Sequence, residues 1–60
     1  MKVGDRVRLT GEVDMTIKKY PAGHEFTVYD SSYRGLDLID DEGNKLDETL
    51  FITHLIEKIE

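Results

Sequence analysis

His24-Glu25-Phe26-Thr27-Val28-Tyr29-Asp30 is the stretch that decides the fold. Phe26 and Val28 fall on one side of an extended chain, and Glu25, Thr27 and Tyr29 on the other. Successive side chains of a strand point to opposite faces, so this period of two predicts a half-buried β-strand. Downstream, Ser31-Ser32 reads as a turn. Residues 33–40 read as a second strand, with Leu36 and Leu38 inward and Asp37 outward. Asp40-Asp41-Glu42-Gly43-Asn44 then reads as a hairpin loop, because Gly and Asn tolerate positive φ. Pairing is expected to resume over residues 46–50. Upstream, Tyr20-Pro21-Ala22-Gly23 predicts a type I turn, with Pro21 presetting φ at the second position and Gly23 suited to the fourth. Residues 5–10 alternate again, Val7 and Leu9 against Arg6 and Arg8, and Gly11 ends the run. Val13, Met15 and Ile17 alternate with Asp14, Thr16 and Lys18, as a strand or as a ribbon bent over the core.

The tail admits two readings. Phe51, Ile52, Leu55, Ile56 and Ile59 fall within one apolar arc of about 140° at helical spacing, and Thr49 or Asp47 could cap such a helix. A short 3₁₀ turn over residues 52–55 followed by a strand over 56–59 fits as well. The isoleucines and threonine of the tail favour this second reading.

Sixty residues make one domain, residues 1–60. The chain is 38% apolar and 35% charged, with four Val, five Ile, six Leu and five aromatic residues. That is too apolar for a disordered chain. With no cysteine and no tryptophan, a disulfide scaffold and a thiolate metal site are excluded. No apolar run approaches the 18 or so residues of a membrane span, and the first residues lack the apolar centre of a signal peptide. A cytoplasmic location is the expectation.

Net charge is −5, and its distribution is uneven. Residues 1–30 carry five bases and five acids, whereas residues 31–60 carry three bases and eight acids. Asp40, Asp41, Glu42, Asp47 and Glu48 crowd nine residues with one lysine. Such a field repels nucleic-acid phosphates and anionic membrane, and favours a partner protein with a basic surface.

Three stretches carry a family resemblance: Val3-Gly4-Asp5-Arg6-Val7-Arg8-Leu9, Pro21-Ala22-Gly23-His24-Glu25-Phe26-Thr27-Val28, and Leu55-Ile56-Glu57-Lys58-Ile59. With the acidic hairpin between them, they resemble small bacterial and phage SH3-like barrels, whose related modules include KOW-type RNA-binding domains. The resemblance implies an all-β fold: a small five-stranded antiparallel SH3-like barrel, a long first loop over residues 11–23, and a short 3₁₀ turn before the last strand. A short C-terminal helix is the alternative. Phe26 stands where that family often has a second glycine. Eukaryotic relatives that bind proline-rich peptides use a tryptophan and the sequence ALYDY, and both are absent here. Fold alone does not assign function.

Candidate chemistry is sparse. His24 and His54 have no second ligand at metal spacing, and the glycine of the acidic loop arrives too early for a calcium-binding loop. Ser31-Ser32 has no base nearby in sequence, and no phosphate-cradling glycine loop exists. No catalytic residue, metal or cofactor is expected. Tyr29 and Tyr33 are candidate anchors for a partner protein, because tyrosine is enriched in interface hot spots. Asp40, Asp41 and Glu42 are candidate steering charges. Lys18, Lys19 and Tyr20, with Arg6 and Arg8, form a basic–aromatic cluster of the kind that contacts phosphate and stacks on bases. The sequence thus predicts a non-enzymatic SH3-like protein–protein interaction module, such as a small phage or bacterial regulator or inhibitor. The alternative is a KOW-like nucleic-acid module using the 18–20 loop. Oligomeric state is open.

Overall fold

Val7, Leu9, Phe26, Val28 and Leu38 are each at most 1% exposed, and the fold follows from burying these alternating side chains. A computed structural model describes residues 1–15, 18–47 and 49–59. Ile17, assigned above to an alternating segment, and Glu48, assigned to the acidic run, lie outside the described residues. Seven strand segments occur among the described residues: β1 (Arg6–Leu9), β2 (Val13–Asp14), β3 (Lys19–Tyr20), β4 (Glu25–Ser32), β5 (Gly35–Ile39), β6 (Lys45–Leu46) and β7 (Ile56–Lys58). Five form one antiparallel sheet in the order β6-β5-β4-β1-β7, and β2 and β3 form a separate two-stranded ribbon. The expected β-dominated class is therefore observed. The expected closed barrel is not found: β6 and β7 stand as the sheet edges in the pairing of the described residues.

The central register pairs Val7 with Phe26 and Val28 with Leu38. Like-facing apolar residues thereby meet across the strands. Tyr20 joins this core from the ribbon, its ring edge-on to Phe26 at 5.3 Å between centroids.

Several local expectations are corrected. Ser31 and Ser32 continue β4, pairing with Leu36 and Gly35, and the turn falls on Tyr33 and Arg34. The reason lies at Gly35, whose φ of +103° closes the hairpin. A β-bulge between Val28 and Asp30 resets the alternation. Without it, Asp30 would follow Val28 onto the core side. The proline turn begins one residue later than expected, since the His24 amide donates to the Pro21 carbonyl at 3.2 Å. Among the described residues of 46–50, ladder pairing reaches only Leu46, with Lys45 before it.

The tail follows the turn-plus-strand reading, with a longer turn. Two 3₁₀ turns span Thr49–Leu55 and meet at Ile52, where φ is −121° and ψ 18°. β7 then pairs with β1, Leu9 opposite Ile56. The continuous amphipathic helix is not formed. A 3₁₀ turn repeats every three residues, and burial obeys that period: Thr49 is buried, Ile52 and Leu55 are half-buried, and Leu50, Phe51, Thr53 and His54 face outward.

Candidate functional site

The acidic loop is organised from within by Asp40. Its Oδ1 accepts the Glu42 amide at 3.0 Å and the Asn44 amide at 2.8 Å, while its Oδ2 accepts the Asn44 side-chain amide at 3.0 Å. His24 Nε2 lies 2.9 Å from the same Oδ2. The side chain is only 3% exposed. Burial alone would raise the pKa of this carboxyl. The His24 and Asn44 side chains and the Asn44 and Glu42 amides together outweigh that effect and hold it well below the ordinary carboxylate range. Asp40 was read as part of a solvent-projecting acidic edge. Its burial corrects that: it is the internal acceptor that shapes the loop. His24 is also half-buried, its ring 4.8 Å from Phe26 and 5.1 Å from Tyr20.

Asp41 and Glu42 remain exposed, the Asp41 side chain at 80%. Arg6 binds both Glu25 at 3.0 Å and Asp41 at 3.1 Å, so part of the local field is neutralised.

Tyr29 is half-buried at the bulge. Its hydroxyl donates to Asp47 at 2.5 Å, and Lys45 Nζ sits 5.4 Å over its ring. The hydrogen bond to Asp47, then burial and the nearby Asp47, Asp37 and Asp30 carboxylates, push its pKa up to about 12. Tyr29 is therefore engaged with β6 rather than held out as an open anchor. Tyr33 is 83% exposed at the hairpin tip, with Arg34 stacked 5.5 Å over its ring.

The basic–aromatic cluster does not assemble as read. Tyr20 is 3% exposed and spends its ring in the core. Lys19 pairs with Glu12 at 3.3 Å and Arg8 with Glu57 at 2.8 Å. Lys18 is exposed and lines a depression of about 490 Å³ with Met15, Lys45, Leu46 and Asp47. The eight candidates thus occupy separate places. Tyr33 and the Asp41–Glu42 loop lie beyond opposite ends of β5, whose five residues alone span roughly 13 Å at about 3.3 Å per residue.

The surface that sequence reasoning missed is built around Phe51, which is 88% exposed, and Leu50, which is 54% exposed. Phe51 stands between two depressions. One, of about 360 Å³, is lined by Tyr33, Arg34, Leu50 and Phe51 itself. The other, of about 240 Å³, is lined by Met15, Leu46, Asp47, Thr49, Phe51 and Ile52. Reading the tail at a period of three instead of 3.6 would have placed Leu50 and Phe51 outward.

This ledge is anchored. The buried Thr49 hydroxyl accepts the Leu36 amide at 3.1 Å and donates to the Leu36 carbonyl at 3.0 Å. The Leu50 amide donates to the Arg34 carbonyl at 3.1 Å. A Cβ on Gly35 would lie 2.6 Å from the Leu50 nitrogen, so only glycine permits this approach.

Among the described residues, no group of three or more His, Asp or Glu could hold a metal ion, and no helix is long and apolar enough to cross a membrane. No protein-family model matches the chain, and neither a curated protein nor a solved structure matches it significantly.

Proposed function

We propose that this chain is an SH3-like protein–protein interaction module without enzymatic activity, a small regulator or inhibitor that docks a partner with a basic surface. The exposed Phe51 carries the reading. A phenylalanine 88% exposed beside a tyrosine 83% exposed, on a ledge tied down by hydrogen bonds, is an aromatic anchor already in place. Fixing it in advance reduces the ordering cost of binding. Asp41 and Glu42, at the other end of β5, act at longer range by steering a basic partner. The SH3-like assignment is supported by element order: a ribbon after the first strand, two consecutive hairpins, and a 3₁₀ segment leading into a last strand that pairs with the first. The nucleic-acid alternative is weakened by the burial of Tyr20 and by the acids that pair Arg6, Arg8 and Lys19.

A panel of lysine- and arginine-rich peptides, each with one aliphatic or aromatic anchor, tests this reading. Binding should weaken with salt, should fall at least tenfold with Phe51→Ala, and should associate several-fold more slowly at low salt when Asp41 and Glu42 become Asn and Gln. Capture of DNA or RNA oligomers in preference to every peptide would instead favour the 18–20 loop and overturn the proposal.

A further inference from the structure

Lys18 and Lys45 come from different elements yet border one depression, of about 490 Å³. Lys18 sits at the tip of the β2–β3 ribbon, where its carbonyl accepts the Met15 amide at 2.7 Å and its amide donates back to Met15 at 3.3 Å. Lys45 belongs to β6, opposite Ile39, and its Nζ lies 5.4 Å over the Tyr29 ring. Arg6, Arg8, Lys19 and Lys58 each meet a carboxylate, whereas Lys18 and Lys45 meet none among the described residues.

The floor of the depression carries an independent signal. Tyr20 is 3% exposed, and its hydroxyl has no hydrogen-bond partner among the described residues. A buried hydroxyl left unpaired is costly. No described side-chain oxygen is both fully buried and unpartnered, so this hydroxyl keeps an opening to the depression that Tyr20 lines. Burial, and after it the Asp40 carboxylate, raise the Tyr20 pKa. At neutral pH the group therefore holds a proton to donate.

We propose that this depression binds a small organic monocarboxylate, with Lys18 and Lys45 holding the carboxylate and the Tyr20 hydroxyl donating to it. Met15, 42% exposed, and the aliphatic stems of the lysines cover the apolar body of the ligand. Asp47 sets the charge that is accepted. It lines the same depression and already accepts the Tyr29 hydroxyl. Beside the two lysines it leaves the lining one positive charge in excess, which one carboxylate neutralises. A dianion overshoots, and the net charge of −5 on the chain opposes it further. The Tyr20 ring is packed against Phe26 and His24, so it offers no face on which a nucleic-acid base could stack. The site uses none of Phe51, Asp41 and Glu42, and it stands or falls apart from partner docking.

The experiment is a titration of the whole chain followed by amide chemical shifts in ¹H–¹⁵N spectra, up to about 50 mM ligand. The probes are phenylacetate, its neutral counterpart 2-phenylethanol, phenyl phosphate and a short oligothymidylate. A ligand of about ten non-hydrogen atoms at ordinary efficiency binds with a Kd of about 1–10 mM. Phenylacetate should saturate in that range, with shifts centred on Met15, Lys18, Tyr20 and residues 44–47. Lys18→Gln and Lys45→Gln should each weaken it about threefold. Tyr20→Phe keeps the packed ring and removes only the hydroxyl. It should weaken phenylacetate about fivefold without lowering the melting temperature, since no internal hydrogen bond is lost. A Tyr20→Phe protein that melts lower and binds phenylacetate as well as before gives the hydroxyl a structural role and overturns the proposal. Absence of saturable shifts, or equal binding of 2-phenylethanol, overturns it as well. Tighter binding of phenyl phosphate or of the oligonucleotide overturns the choice of a monocarboxylate. Each of these failures leaves the peptide-binding test of Phe51→Ala untouched, and failure of that test leaves this site standing.

Discussion

Gly35→Ala should be far more damaging than another alanine placed at a positive φ. At Gly35 φ is +103°, and an added Cβ would lie 2.6 Å from the Leu50 nitrogen and 3.0 Å from the Leu50 Cα and the Thr49 carbonyl carbon. All three are backbone atoms of the 3₁₀ segment, so relief requires that segment to move. The left-handed conformation costs an alanine about 1–2 kcal/mol. Moving the segment breaks the Leu50–Arg34 hydrogen bond, worth about 1 kcal/mol. It also strains the Thr49–Leu36 pair, where a buried unpaired hydroxyl costs about 1–3 kcal/mol. The sum is about 3–6 kcal/mol, against a total stability of about 3–9 kcal/mol for 60 residues. Gly23 is the control. Its φ is +91°, but nothing lies within 4 Å of the added Cβ, so Gly23→Ala should cost only the conformational term. Urea and thermal unfolding followed by far-UV circular dichroism measure both. The two variants should differ by at least about 2 kcal/mol, or about 8–16 °C in Tm at this size. Equal losses, within about 0.5 kcal/mol, would refute the close docking of the ledge against the hairpin.

Two further outcomes follow from the core and the acidic loop. Phe26→Ala removes the largest fully buried side chain, should cost about 3–5 kcal/mol, and should leave the protein largely unfolded at 37 °C by circular dichroism. Asp40 has a depressed folded-state pKa, so it adds stability that is complete above its unfolded value near 3.8 and is lost as pH falls further. Denaturation midpoints should drop below about pH 4, and Asp40→Asn should cost about 2–3 kcal/mol at neutral pH and flatten that decline.

Alternation made the central sheet legible. Val7, Leu9, Phe26, Val28, Leu36 and Leu38 were all placed on the core side, and all are buried or packed against the core. Parity works where one face meets water, since a slip of one residue would expose the whole set. It failed where a single residue changes the count. The bulge at Tyr29 is invisible to a strict period of two, so the strand was ended at Asp30 and a turn was placed on two serines that in fact pair. Tyr20 was read as loop because it precedes Pro21, yet the two-residue ribbon pairing Val13 with Tyr20 turns it inward. Phe51 was obscured for a related reason. At 3.6 residues per turn it joins Ile52 and Leu55, and at three it leaves them.

Charge was the least legible property, because its effect depends on pairings between strands that no local window contains. Arg6 meets Glu25 and Asp41, Arg8 meets Glu57, Lys19 meets Glu12, and Lys58 lies 3.7 Å from Asp5. Each such pair is exposed or partly exposed and adds little stability. Collectively they remove the positive patch that the run Lys18-Lys19-Tyr20 suggested in sequence. The acidic run was altered too, but in the other direction: Asp40 left the surface to build the loop, while Asp41 and Glu42 kept their exposure. The pairing therefore engages Arg6, Arg8, Lys19 and Lys58 and leaves a negative excess at one end of β5, with an aromatic ledge beside Arg34 at the other. On the proposed reading, a partner steered by the first and anchored on the second spans at least the length of β5, roughly 13 Å, which an extended segment of about five residues or a folded surface can do.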